Sequence, residues 1–385
     1  MSDTVYESAI PPFLRGLTYD GAKGVCVTRV ENTDSEEILV FDCGSGDMKE
    51  EVVLARLKGV FADYVKEHQR YPGVIQLSSG AMFSLGATYD EAKQAAGCSR
   101  FPGISGSTAR ADVVREKIAL VTGGAQGFGE GMVRGLAAEG AFVFIADMNI
   151  SGAAGLAENL NSRYGHTVAL PLEVNVTSEE SVDKMIKEVI RLTGGLDIFI
   201  SNAGVLRAGS VKEMTLKDFN FVTSVDYIGF FICTKYTAGL LELQHRGSAE
   251  YSSDIIAISS KSGLEGSNKN GAYAGAKFGT IGLVQSFALE LVSDRVKVNA
   301  ICPGNFLDGP LWSDPKRGLF VQYLKTGKVP GAKSVEDVRR HYESKVPLNR
   351  GCTTEDVMRA LLYCVEQQYE TGQAVPVTGG QIMLN

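Results

Sequence analysis

The sequence predicts an α/β protein: a doubly wound parallel sheet preceded by a small α/β module. Three observations carry this. From Lys117 onward, short apolar runs recur as "KIALVTGG", "AFVFIAD", "LDIFISNAG", "DIIAISS" and "RVKVNAICPG", with helical stretches between them. Runs of this kind, alternating with helices, call for a parallel sheet covered on both faces. Residues 1–96 have a separate strand and helix pattern of their own. Between the two, "GCSRFPGISGSTARADVVR" (97–115) is rich in Gly, Ser and Pro and reads as a linker. The expected division is a module over 1–96, a linker over 97–115 and the large domain over 116–385.

In chain order, "VCVTRV" and "ILVFD" read as strands. "MKEEVVLARLKGVFADYVKEH" has Val52, Val53, Leu57, Val60, Phe61, Tyr64 and Val65 at helical spacing with charges between them. "GVIQLS" reads as a further strand, and "TYDEAKQAA" as a short helix opened by Thr88 as N-cap. The large domain then begins with "KIALVTGG".

Composition narrows the classes. The 385 residues suffice for two domains, and 44% apolar with 22% charged residues is ordinary for a folded protein. A net charge of −7 without a basic run argues against nucleic acid or an anionic membrane as partner. Seven cysteines without Cys-x-x-Cys argue against a disulfide framework or zinc site, so a cytoplasmic location is expected. The start, "MSDTVYESAIPPF", lacks the charged and apolar regions of a signal peptide. Four scattered histidines, His68, His166, His245 and His341, make a multi-histidine metal site improbable, and no metal is expected.

The first chemical signal is "LVTGGAQGFGEGMV", a strand, a glycine turn (Gly123, Gly127, Gly129) and a helix start. Backbone N–H groups and the helix dipole there face an anion, and glycine lets the backbone approach it. An acid, Asp147, stands 18 positions after Gly129 at the end of the second strand. A carboxylate there accepts from ribose hydroxyls and repels a 2′-phosphate, so a Rossmann-like dinucleotide site selective for NAD is expected.

The second signal is Tyr-x-x-x-Lys, which occurs three times: Tyr19/Lys23, Tyr89/Lys93 and Tyr273/Lys277. One helical turn brings such a pair together whether or not it has a function. Only the third follows the glycine loop, with a serine, Ser260, 13 positions before it at the end of an apolar strand.

Thr122-Gly123-x-x-x-Gly127-x-Gly129, then Asn202-Ala203-Gly204, Ser260, Tyr273-x-x-x-Lys277 and Pro303-Gly304 resemble the ordered motifs of the short-chain dehydrogenases/reductases over about 270 residues. "SSKSGLEGSNKNGAYAGAKFGTIGL", "KVPLNRGCTTEDV" and "VTGGQIML" are similar to the sorbitol-6-phosphate 2-dehydrogenases within that family. The resemblance implies NAD-dependent oxidation of a hexitol phosphate at C2. Tyr273 is then acid/base, Lys277 lowers its pKa and reaches the nicotinamide ribose, and Ser260 binds the substrate oxygen. It assigns Gln126, Phe128, Asn175, Val176, Asn202, Ala203, Gly204, Pro303 and Gly304 to the cofactor as well. It also implies a homodimer or homotetramer. Asp226 stands where the family usually has Asn, whose carbonyl helps hold a water near the lysine. Asp keeps the carbonyl and adds a charge able to alter Lys277. Ala276 replaces a common Ser, and Asn305 is not followed by the frequent Thr.

Free tyrosine, with a pKa of about 10, needs roughly 4 kcal/mol of differential stabilisation to act as a base near neutrality. A cation beside it supplies the right sign. For the substrate, the segment from Pro303 to Arg350 holds nine cations (Lys316, Arg317, Lys325, Lys328, Lys333, Arg339, Arg340, Lys345, Arg350) against five acids. A basic lid suits an anionic substrate. Lys261, Asn268 and Asn305 are the candidate substrate contacts. Two alternatives stay open: a dehydrogenase of another polyol or sugar-derived alcohol, and a catalytically silent cofactor-binding protein. In the module, "PGVIQLSSGAMFSLGATYDEAKQAA" looks like the tail of the aldolase half of fused rhamnulose-phosphate aldolase/dehydrogenase proteins. Such aldolases need several histidines for a metal and the module has only His68, so it is expected to be structural, regulatory or a remnant.

Overall fold

The computed structural model describes residues 4–35, 37–44, 48–95, 97–99, 112–316, 318–325, 327 and 329–383. Most of the linker expected over 97–115 lies outside them, as do Arg317 and Lys328 of the basic lid.

The first sheet has four strands: β1 (Cys26–Val30), β2 (Ile38–Phe41), β3 (Val74–Leu77) and β4 (Met82–Gly86), in the order β1-β4-β3-β2. Its helices are α1 (Thr4–Leu17), α2 (Glu50–His68) and α3 (Tyr89–Gln94). Thr88 caps α3 by accepting from the Glu91 N–H at 3.2 Å, as its place before the helix requires.

The second sheet has seven parallel strands: β5 (Ile118–Thr122), β6 (Phe142–Asp147), β7 (Ala169–Glu173), β8 (Ile198–Ser201), β9 (Ser253–Ile258), β10 (Val296–Pro303) and β11 (Ala374–Val377). The order is β11-β10-β9-β8-β5-β6-β7. Helices α4 (Gly127–Ala138), α5 (Ile150–Tyr164), α6 (Glu179–Thr193), α7 (Leu216–Thr223), α8 (Gly229–Gly247) and α9 (Gly271–Leu291) alternate with the strands. After β10 come α10 (Pro310–Ser313), α11 (Leu319–Lys325), α12 (Val335–Glu343) and α13 (Thr354–Glu366). Successive strand residues face opposite sides. Leu120, Phe144, Phe199 and Val298 therefore enter one core, with α6, α8 and α9, while Val121, Val143, Ile145 and Ile200 enter the other, with α4, α5 and α13. The strand order reverses between β5 and β8, and the carboxyl ends of those strands open the crevice where such sheets bind ligands.

The first 95 residues are docked on the large sheet. Helix α1 crosses α8 so closely that a Cβ on Gly16 would lie 2.1 Å from the Gln244 carbonyl oxygen. Arg15, fully buried, reaches Asp197 at 2.6 Å and donates to the Val25 carbonyl at 2.8 Å. Asp197 also accepts from the Ile118 N–H at 2.7 Å and from the Tyr251 hydroxyl. Burial opposes both charges, yet their attraction holds Arg15 above and Asp197 below the ordinary range. Cys26, Tyr89 and Ala92 join the main core of the large sheet. All these contacts lie at the amino ends of β5, β6, β8 and β9.

The helices after β10 were not read from the sequence, nor were α1, β4, β7 and β11. Helix α1 contains Pro11 and Pro12, which argue against a helix, but it buries Ala9, Ile10, Phe13 and Leu14. Strand β4 is five residues long and lies inside a glycine-flanked stretch. Strands β7 and β11 are the two edges of the large sheet, and each contains a proline, Pro171 and Pro376. An edge strand tolerates the missing N–H, but the proline erases the strand signal.

Candidate active site

The glycine turn joins β5 to α4. Gly123 and Gly127 have φ near +62° and +63°, a region that favours glycine. A Cβ on Gly129 would lie 2.0 Å from the Gly123 carbonyl oxygen, and one on Gly123 would lie 2.9 Å from Ala203 Cα. The Asn202 amide donates to the Thr122 and Gly123 carbonyls, both at 3.0 Å, and Thr122 Oγ1 accepts from the Asn202 and Ala203 N–H groups. Asn202 therefore braces the turn from the end of β8. Asp147, at the end of β6, accepts from the Ala125 N–H at 3.0 Å and the Asn149 N–H at 2.8 Å, which puts its carboxylate on the rim of the turn. Gln126 is exposed and Phe128 stacks on Phe306, centroids 4.5 Å apart. Asn175 turns its side chain onto Thr177, and Val176 is buried where a Cβ on Gly229 would touch it. The Gly304 N–H donates to Val377, fixing the end of β10 beside β11.

Next to this turn stands the candidate acid–base group. Ser260 follows β9, and its Oγ accepts from the Ser262 N–H at 3.1 Å. Close packing of that turn on α9 lets them meet: a Cβ on Gly263 would lie 2.8 Å from the Lys277 carbonyl oxygen. The Tyr273 hydroxyl faces Ser260, and Lys277 Nζ lies 5.5 Å from the Tyr273 ring centroid. Burial, with Asp226 adding to it, holds the Tyr273 phenol above its ordinary range, against the opposing pull of Lys277 and Ser260. Lys277 is 4% exposed and donates to the Ile258 carbonyl at 3.0 Å. Asp226, in a π-helical turn at Ser224–Ile228, is 3% exposed, with Oδ1 3.1 Å from Lys277 Nζ. Burial lowers Lys277 and raises Asp226; net, the carboxylate keeps Lys277 above its usual range.

The other two Tyr-Lys pairs have different surroundings. Tyr19 lies beyond the end of α1 and packs on Tyr251, centroids 4.7 Å apart, while Lys23 pairs with Glu116 at 2.5 Å. Tyr89 packs on Phe142 at 5.2 Å and Lys93 lies over its ring. Both tyrosines help dock the first 95 residues.

The segment after β10 folds over the carboxyl ends of the strands around its own core of Leu307, Trp312, Phe320 and Val338. Its charge is more committed than its composition implies: Arg339 pairs with Asp308 and Glu343, Arg340 with Asp337, and Arg350 with Asp356, whose carboxyl falls to about 2 through that contact. Lys345 differs. It stands over the Tyr342 ring at 5.0 Å; burial chiefly disfavours the charged forms of Lys261 and His341, and Lys345 adds to it, while Glu265 favours the Lys261 charge. Sequence reading counted Lys345 among nine cations without singling it out. Asn268 is exposed in the turn before α9. Asn305 lines a cleft of about 300 Å³ with Val346, Leu348, Cys352 and Thr378; Ser260, Tyr273 and Lys277 do not line it. The Asp226–Lys277 contact was also missed as geometry, though Asp in place of Asn was its visible sign.

Known proteins resemble this chain in sequence and fold. The short chain dehydrogenase family matches residues 117–314. Sorbitol-6-phosphate 2-dehydrogenase of Escherichia coli (strain K12) is 36% identical over 69% of this chain and 99% of its own length. A 3-oxoacyl-[acyl-carrier-protein] reductase of Aquifex aeolicus (strain VF5) is 30% identical over 69% of this chain and 96% of its own. The crystal structure of sorbitol-6-phosphate 2-dehydrogenase from Erwinia amylovora superposes with a TM-score of 0.64 at 36% identity, covering 69% of this chain and all of that one. None of these three bears on the aldolase likeness of residues 72–96. With its strand order, glycine turn and Ser-Tyr-Lys group in these places, the chain belongs to the short-chain dehydrogenase family, whose members use a nicotinamide cofactor.

Proposed function

We propose that this chain oxidises a phosphorylated sugar alcohol with NAD, taking sorbitol 6-phosphate to fructose 6-phosphate at C2. The observation that carries the reading is the placing of Ser260 and Lys277 beside Tyr273, with the cation Lys261 directly after Ser260. Two relatives named for this substrate, matched over nearly their full lengths, support it.

The glycine turn fits a dinucleotide. A Cβ at Gly123 or Gly129 would strike Ala203, Asn202 or the turn's own carbonyl, so glycine there lets the turn close with its N–H groups at the start of α4. Gly123, Gln126, Gly127, Phe128 and Gly129 would hold the pyrophosphate, and Asp147 the adenosine ribose; its negative charge favours NAD over NADP. Asn175, Val176, Ala203, Gly204, Pro303 and Gly304 complete the candidate cofactor contacts. When bound, the nicotinamide supplies the hydride acceptor. Tyr273, as phenolate, removes the hydroxyl proton, and Ser260 holds the reacting oxygen. Lys277 favours the phenolate; it donates to Ile258 and meets Asp226 as an ion pair, and a further N–H is available to a ribose hydroxyl. In reduction, Tyr273 donates the proton. Lys261 and Lys345 receive the phosphate, with Asn268 and Asn305 at the sugar chain.

The test compares NADH formation from sorbitol 6-phosphate and from sorbitol. The expected kcat/KM ratio is about 10- to 100-fold in favour of the phosphate, the magnitude of a charge-assisted contact. Equal rates would refute the phosphate reading.

We also propose a cytoplasmic homodimer or homotetramer. Helix α9 is apolar beyond its buried face: Phe278 and Leu289 are exposed along a line with Gly271, Gly275 and Gly282, beside Ile228 and Phe231. An apolar helix of this kind is suited to burial against another copy. The division into 1–96, 97–115 and 116–385 we retain, with the first part as a docked structural module.

A further inference from the structure

The two ends of Asp226 do different things. Its carbonyl accepts from the Thr280 hydroxyl of α9 at 3.1 Å. Its carboxylate is buried against another set of atoms: Oδ2 accepts from the Val205 N–H at 3.0 Å, and Oδ1 faces Lys277 Nζ at 3.1 Å. Oδ1 has no aligned hydrogen-bond donor, so the contact is chiefly ionic. Gly204 makes room for it, since a Cβ there would lie 2.7 Å from Oδ1. A carboxylate and an ammonium are kept together at such burial because each alone would be a costly unpaired charge.

We propose that Asp226 is a positioning residue whose carboxylate holds the Lys277 ammonium and cancels part of its positive field at the Tyr273 hydroxyl. This rests on the reading of Tyr273 as the proton acceptor. The groups facing Tyr273 are Lys277 on α9, Asp226 on the π-helical turn, Ser260 after β9 and Cys302 on β10, and Asp226 is the carboxylate among them. An amide at 226 would keep the carbonyl bond to Thr280 and an acceptor for Val205, but would leave Lys277 uncompensated.

The signs follow. Burial raises Tyr273, Lys277 lowers it and Asp226 raises it. Burial lowers Lys277 and Asp226 raises it. Removing the carboxylate's charge therefore moves both titrations to lower pH.

The decisive experiment is a pH titration of phenolate absorbance in the full chain, with the Tyr273→Phe variant subtracted, for wild type and Asp226→Asn. It needs no substrate, so it is decided even if the wild type oxidises no polyol phosphate, a result that would count against the substrate reading alone. The Tyr273 midpoint is expected to fall by about one pH unit or more in Asp226→Asn. In the NAD-coupled assay, both limbs of the kcat/KM profile should move down in pH. Asp226→Ser removes the charge with a smaller side chain and serves if the Asn variant does not fold. Unchanged midpoints in these variants would overturn the proposal.

Discussion

A tyrosine and a lysine four positions apart mean little until their surroundings are known. Tyr19 and Tyr89 lie in apolar contacts with Tyr251 and Phe142, while Tyr273 meets a serine and a buried ammonium. Position along the chain was enough to select Tyr273, because the glycine turn and Ser260 are sequence-visible. The carboxylate contact to Lys277 was not, because it joins residues 51 positions apart through a π-helical turn that no periodicity marks. Glycine at 129 is required by contact: a side chain there would strike the Gly123 carbonyl and the Asn202 amide. Gly129→Val is therefore expected to weaken NADH binding at least tenfold, about 1.4 kcal/mol. Fluorescence titration checks it; wild-type affinity would mean the turn does not hold the cofactor.

At the scale of elements, strands β5, β6, β8 and β9 were legible from their short apolar runs, and β10 from apolar residues alternating with Lys297 and Asn299. The edges β7 and β11 were hidden by their prolines. The lid shows the limit of counting charge. Three of its described arginines pair with acids of the same region or of α13, so its composition overstates what a substrate meets. Among the described lid cations, Lys345 is near enough to Lys261 to disfavour its charge, against the opposite effect of Glu265. Lys345→Ala should raise KM for sorbitol 6-phosphate about tenfold or more, with kcat and activity toward sorbitol little changed. A variant with unaltered KM would remove Lys345 from the phosphate site.

For the whole molecule, the first 95 residues and the candidate active site occupy opposite ends of the same strands. Arg15 meets Asp197 at the amino end of β8, whereas Asn202 and the glycine turn lie beyond its carboxyl end, roughly 15–20 Å of strand away. The docking was unreadable in sequence because its key ion pair spans 182 residues. Losing one partner of a buried pair leaves the other charge uncompensated. Arg15→Ala should therefore destabilise the chain by about 3–5 kcal/mol, while KM for NAD stays near wild type; chemical denaturation and steady-state kinetics read the two. Deleting residues 1–115 bares Asp197, Tyr251 and the α1 face of α8 together, and should leave a chain that does not fold stably.

The central claim is that Tyr273 is the acid–base group of an NAD-dependent polyol-phosphate dehydrogenase. Its most direct test is the turnover of Tyr273→Phe with sorbitol 6-phosphate, measured beside its NADH affinity. The account predicts a fall in kcat of about 100- to 10,000-fold with NADH binding intact. Turnover at the wild-type rate would contradict it.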